Sequence, residues 1–202
     1  MRLLPTLLIA SVLSLGSPPA SADVSTNPRS APKGTYELSK AHSLVTFCIN
    51  HLGISNYCGW FPKISGTLEF NGSQPANSRV EVAIDLVAVQ TRSDELDRRL
   101  RDEVFEAAKF GRATFKSTGI KIIGENQGDI AGDLTLHGVT RPVVLKARFN
   151  GGLPSPLGAG YLIGFSADTT IKLADFGMAG VAWMVFVGED VTLHIETEFH
   201  HE

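Results

Sequence analysis

Cysteine is nearly absent: the chain of 202 residues has two, Cys48 and Cys58, and no C-x-x-C, so thiol redox catalysis lacks its motif. There is no G-x-S-x-G elbow, H-E-x-x-H pair, P-loop or G-x-G-x-x-G turn, which removes the common signatures of hydrolases, zinc proteases and nucleotide enzymes. The chain is therefore read as a non-enzyme, with no cofactor and no metal expected. Charge of one sign is lacking too, with 18 Lys+Arg against 21 Asp+Glu and a net charge of −3. The one basic cluster, Arg98, Arg99 and Arg101, is interleaved with acids and reads as a solvated helix face, so no nucleic-acid partner is expected. Nor does any apolar run approach the roughly 20 residues that a membrane-spanning helix needs.

What stands at the start is a short export signal. Met1 and Arg2 precede an apolar stretch, residues 3–15, that is interrupted by Pro5 and gives way to Gly16, Pro18 and Pro19. Ala20-Ser21-Ala22 then forms an A-x-A cleavage site. The expected organisation is a cleaved signal peptide at 1–22, a flexible Ser-, Pro- and Asn-rich leader at 23–34, and one domain at 35–202. Without Cys near the cleavage site, a lipid-anchored form is not expected, and the mature protein is placed in the periplasm as a secreted chain. In that oxidising compartment two cysteines invite pairing. Two readings stay open, a structural disulfide and two buried thiols; the bond would stabilise the fold by about 3 kcal/mol in the chain-entropy picture.

From Tyr36 onward the dominant rhythm is alternation with period two. Val80, Val82, Ile84 and Leu86 are set against Arg79, Glu81, Ala83 and Asp85, the pattern of a half-buried antiparallel strand. Val45, Phe47 and Ile49 repeat it, as do Tyr161, Ile163, Phe165 and Ala167, and Val191, Leu193 and Ile195. Turn signals such as Asn71-Gly72, His137-Gly138 and Asn150-Gly151-Gly152 separate the runs. About eight strands result, to be closed as a barrel or stacked as a sandwich. Residues 93–109 break the rhythm: without Gly or Pro, and with Leu96, Leu100, Val104, Phe105 and Ala108 at helical spacing, they predict one or two short amphipathic helices capped by Ser93 or Asp94.

Catalytic candidates are sparse. His42, His51 and His137 fall at strand ends and turns, where hydrogen-bonding roles suit them better than ligation, and His200 and His201 read as an exposed tail. A hydrolase or isomerase would need His137 or His42 with Asp133 or Asp175. Against this scarcity stands a surplus of apolar side chains, including 11 Phe.

Three segments carry a resemblance. The first, residues 36–61, holds His42-Ser43, Phe47, His51-Leu52-Gly53 and Gly59. The second, residues 91–117, holds Asp102-Glu103-Val104-Phe105-Glu106-Ala107-Ala108-Lys109-Phe110 and Ala113-Thr114-Phe115. The third is Gly132-Asp133-Leu134-Thr135-Leu136-His137-Gly138-Val139-Thr140-Arg141-Pro142-Val143, and Asp175-Phe176-Gly177-Met178 follows. Together these resemble the YceI-like family of exported, lipocalin-like polyisoprenoid-binding proteins. Three departures stand out: Gly111-Arg112 follows Phe110 where the family usually has a Pro, Lys172 stands where an Arg is common, and Cys48 and Cys58 are not part of the family pattern.

The resemblance implies an all-β, lipocalin-like antiparallel barrel of about eight strands, partly closed by helices, with an apolar pore holding a long-chain isoprenoid lipid of quinone or polyprenyl phosphate type. Strand parity nominates Phe47, Ile49, Val82, Ile84, Phe165 and Ala167 as pore residues. The helical cover adds Leu100, Phe105 and Phe110, and the last motif adds Phe176 and Met178. Transport, storage or sequestration would follow. A transient contact with the membrane or a membrane redox protein, as its accessory partner, and a homodimer are further expectations.

Overall fold

The structure, a computed structural model, describes residues 23–156, 158–178, 180 and 182–202; the expected signal at 1–22 lies outside them. Ten strands appear among the described residues: β1 (Gly34–Leu38), β2 (Leu44–His51), β3 (Ser55–Phe61), β4 (Ile64–Phe70), β5 (Arg79–Asp85), β6 (Arg112–Ile122), β7 (Gln127–Leu136), β8 (Val139–Pro154), β9 (Tyr161–Lys172) and β10 (Val187–His201). Every pairing is antiparallel.

The ten strands make eight staves. β10 pairs with β2 along Val187–Glu196 and with β1 at Phe199 and His200, so β1 and β2 are two halves of one interrupted stave. β3 and β4 form the next, with β3 on β2 and β4 on β1. The break between β1 and β2 is held by Glu198: its carbonyl accepts from Ser39 N–H at 2.8 Å, and its N–H donates to the Ser43 hydroxyl at 3.1 Å. Pro62, which has no N–H to give a ladder, lies at the second break. Since β1 closes onto β10, the sheet is a barrel and not a sandwich. Eight strands leave an interior wide enough for packed side chains or one small ligand.

The upper end of the barrel carries the β2–β3 turn, the long β5–β6 crossover, the β7–β8 turn and the β9–β10 connection. The helical prediction holds in that crossover. Ser93 caps α1 (Asp94–Arg99) by accepting from Leu96 N–H at 3.3 Å, a contact of the kind worth about 1 kcal/mol. A π-helical turn over Leu100–Val104 and α2 (Ala107–Phe110) follow. Reciprocal backbone hydrogen bonds between Trp60 and Gln90, 2.8 and 2.9 Å, tie the start of the crossover to the free edge of β3.

The β7–β8 turn is the clasp of this end. His137 and Gly138 both have positive φ, 52° and 73°, as the two central residues of a type I′ hairpin turn require. Such a backbone is costly for a residue with a side chain. His137 is held there by donating from Nε2 to Glu106 at 2.8 Å and by the Phe110 ring, 4.4 Å away centroid to centroid. Gly138 is confined for a second reason: a Cβ there would come within 2.7 Å of Phe110.

Two expectations fail at the lower end. Residues 23–34 are docked and not a free leader: Ser25 exchanges two backbone hydrogen bonds with Gly152, both 2.9 Å, and Ala31 is buried. Little side-chain burial is needed because the approach is made by backbone; a Cβ on Gly72 would sit 2.1 Å from the Pro28 carbonyl oxygen. His201 is likewise not tail. β10 runs through it, its ring stacks on Tyr36 at 4.9 Å, and its Nδ1–H donates to Thr35 O at 2.8 Å.

Candidate functional site

Inward-facing side chains of all eight staves meet along the barrel axis and leave two apolar chambers. The upper has a volume of about 290 Å³ and the lower about 140 Å³, and they share no lining residue. Their order follows from the strands. On β5, Ile84 lines the upper chamber and Val80 the lower; on β7 the pair is Leu134 and Ile130, and on β10 Leu193 and Ile195. The partition runs at the level of Val82 and Phe115, which are paired across β5 and β6. Gly132 makes room for it, since a Cβ there would lie 2.3 Å from the tip of the Phe115 ring.

The upper chamber is hydrocarbon on nearly every side. Among its lining residues only His51, Tyr57 and Trp183 carry a side-chain nitrogen or oxygen. Its roof is the helical crossover, through Leu96, Leu100, Val104 and Phe105, together with Trp183, Met184 and Phe186 of the turn Ala182–Phe186. These two roof pieces are joined, because Trp183 donates from its indole to Glu103 at 2.7 Å and the Arg99 guanidinium lies 4.2 Å over its ring. The lower chamber is narrowed by aromatic packing. Phe149 meets Phe165 at 5.3 Å and Phe70 at 6.1 Å, and Phe165 meets Phe199 at 6.2 Å. Pro28 of the docked leader, Glu125 and Asn126 of the β6–β7 turn and Gln127 at the start of β7 line its mouth.

Of the residues singled out in the sequence, Phe47, Ile49, Ile84, Leu100 and Phe105 line the upper chamber, and Phe165 and Ala167 the lower. Val82, Phe110, Phe176 and Met178 line neither. Val82 faces inward but at the partition. Phe110 packs on the His137–Gly138 clasp. Phe176 and Met178 are buried in the core, in and after the turn Leu173–Phe176 that packs on β8, β9 and β10. Sequence reasoning passed over Val45, Leu134, Leu136 and Leu193, which share the inward parity of residues it chose, and Phe61 and Phe115, whose signal was the same.

Among the described residues, no ion pair involves a side chain that lines either chamber. His42 reaches Ser39 Oγ and Glu198 Oε1 through the same nitrogen, Nδ1, at 3.1 Å each; His137 pairs with Glu106 and not with Asp133 or Asp175. Among the described residues no group of three or more His, Cys, Asp and Glu is arranged to hold a metal. Lys172 points away from the bore and binds Asp190 at 2.9 Å, which raises its pKa. Among the described residues the strongly shifted interior group is Tyr36, whose hydroxyl donates to Pro32 O at 2.8 Å. Burial, followed by the neighbouring Tyr161, pushes its pKa up to about 12. Cys48 and Cys58 are opposite each other on β2 and β3, 4.2 Å apart at Cα, and are joined as a disulfide on the outer face of the upper chamber's wall.

Known proteins are similar to this chain in sequence and in fold. A UPF0312 protein of Ectopseudomonas mendocina is 44% identical over 136 residues, 67% of this chain and 71% of that protein. The crystal structure of a Campylobacter jejuni YCEI protein matches with a TM-score of 0.67 at 29% identity, covering 76% of this chain and 90% of that one. A polyisoprenoid binding domain from Saccharophagus degradans has the same fold, with a TM-score of 0.65 at 21% identity over 83% of this chain and 98% of that one. A family model described as a YceI-like domain matches residues 36–199. That span runs from β1 almost to the end of β10 and takes in the chamber walls, the partition and the His137–Gly138 clasp: the chain belongs to the YceI-like family.

Proposed function

We propose that this protein binds a long-chain isoprenoid lipid, of the quinone or polyprenyl phosphate type, and carries, stores or sequesters it in the periplasm after export. The observation that carries the reading is the upper chamber, an apolar space under a helical roof with no ion pair directed into it. Removing each methylene of a lipid tail from water contributes about 0.8 kcal/mol, so a chain needs no charged clamp to be held. The polyisoprenoid binding domain of Saccharophagus degradans, built on the same barrel, supports the choice of ligand class.

The chamber volumes constrain how binding proceeds. The upper chamber, at about 290 Å³, lies at the small end of ligand pockets, which run from roughly 300 to 1,000 Å³. It takes one end of a long tail. Accommodating the rest requires the Phe115 ring to swing off Gly132 and join the two spaces. An isoprenoid thus enters as a wedge from above, and longer chains bind at the cost of moving that ring.

The test is extraction. The mature protein, purified from the periplasm without detergent, is expected to release a stoichiometric isoprenoid on denaturation, identified by mass spectrometry. A bare polypeptide that takes up neither quinones nor polyprenyl phosphates on incubation would refute the carrier role.

A further inference from the structure

The outside of the upper mouth differs from the rest of the surface. Leu52 and Ile54 at the tip of the β2–β3 turn are 55% and 82% exposed, and Val185 and Phe186 at the end of the β9–β10 connection are 72% and 60% exposed. The two tips are one surface, because Leu52 N–H donates to Phe186 O at 2.9 Å. Phe186 also lines the upper chamber, so the patch runs without interruption from solvent into the bore. A Cβ on Gly53 would meet nothing within 4 Å, which places this turn at a projecting edge.

The sequence around both tips is free of charge. Residues 52–61 and 177–188 contain no Asp, Glu, Lys, Arg or His. The lower mouth offers the contrast: its exposed Ile122 and Ile123 sit between Lys121 and Glu125, beside the polar leader. Contiguous exposed apolar surface of this kind marks an interaction site.

We infer that the uncharged tips Leu52–Ile54 and Val185–Phe186 form a docking surface for the acyl region of a lipid bilayer, which seats the mouth of the upper chamber on the membrane. The occupant follows from shape and charge. Leu52, Ile54, Val185 and Phe186 project and are themselves uncharged, so they enter a hydrocarbon phase without desolvating an ion, and the chamber they open into accepts hydrocarbon. The choice of a bilayer over a protein partner rests on the isoprenoid reading, since an isoprenoid is dissolved in the membrane before it is bound. Attraction here is apolar, so it needs no anionic lipid and persists at high salt.

Flotation with vesicles of phosphatidylcholine alone tests the inference. The mature protein is expected to float at both low and high salt. Ile54→Asp and Val185→Asp are each expected to lower the vesicle-bound fraction roughly tenfold or more, while Ile123→Asp at the lower mouth leaves it unchanged. All three variants change exposed side chains, and near-ultraviolet circular dichroism checks that each remains folded. Uptake of a soluble, short-chain fluorescent isoprenoid, measured without vesicles, keeps the two proposals separate. Variants that lose flotation and retain uptake establish the surface; vesicle binding without uptake removes the carrier role and leaves the surface standing. Wild-type protein that stays below the vesicles, or Ile54→Asp and Val185→Asp proteins that float as well as it does, would overturn the inference.

Discussion

In the lower half of the barrel Phe70, Phe149, Phe165 and Phe199 pack ring against ring, and the docked leader crosses the mouth, leaving about 140 Å³. In the upper half the walls are mostly aliphatic, the aromatic contacts are a chain of three rings, Phe47, Phe61 and Phe105, and about 290 Å³ remains. Both halves are built from the same inward parity of the same strands. What separates them is the residue type at each level and what closes the end. Rings and backbone hydrogen bonds make the lower half a structural core, while helices and apolar turns roof the upper half over a space that a tail can fill.

The largest effect is expected from filling that space. Ala113 faces the upper chamber on β6, and Ala113→Phe places a ring where roughly five methylenes of tail would lie. This is a loss of about 4 kcal/mol, approaching a thousandfold in affinity. Titration with an isoprenoid quinone measures it, and the same titration on Ala147→Phe, which narrows the lower chamber, is expected to show a smaller loss. Equal losses would abolish the distinction between the halves.

Opening the disulfide comes next. Cys48→Ser with Cys58→Ser is expected to lower stability by about 3 kcal/mol, read as a fall of about 6–12 °C in Tm. The wall it pins belongs to the upper chamber, so ligand added before heating should recover part of the loss.

Alkaline pH probes the lower half. The folded-state pKa of Tyr36, about 12, lies above the ordinary phenol value of 10. Below that ordinary value the phenol is neutral folded or unfolded, and its contribution is fully present. As pH rises toward 12 only the unfolded chain loses the proton, so stability falls by about 2 kcal/mol. Urea unfolding at pH 9 and 11.5 reads this, and Tyr36→Phe is expected to remove most of the difference.

The smallest change is expected at Lys172. Its pair with Asp190 is exposed, so Lys172→Ala should leave stability close to that of the wild type and isoprenoid titration unaltered. A marked loss of affinity for lipids with charged head groups would show that this side chain leaves Asp190 to reach the ligand.

Much of this architecture was legible in the chain. Alternation located strands such as β2, β5, β9 and β10 but passed over the short β1 and β3, Ser93 and the helical spacing after it located the roof, and His137-Gly138 announced a turn whose two positive φ angles it adopts. Parity, however, reports only which way a strand residue faces. It gave Val82 the correct direction but could not give its height along the axis, which is the partition. Phe176 and Met178 lie in and after a 3-10 turn, where parity does not operate and an apolar side chain can be buried without lining a cavity. The leader escaped because its docking is made by backbone hydrogen bonds to Gly152 and close passage over Gly72, and composition carries neither. Closure of the barrel, a pairing between the first strand and the last, was likewise beyond any local pattern.

Photo-crosslinking with an isoprenoid that carries a diazirine at its tail end, followed by peptide mapping, tests the central claim most directly. Cross-links are expected on inward residues of the upper chamber, such as Val45, Leu134 and Leu193, and are expected to vanish in Ala113→Phe. Labels confined to the outer face of the barrel, or unchanged in that variant, would contradict the account.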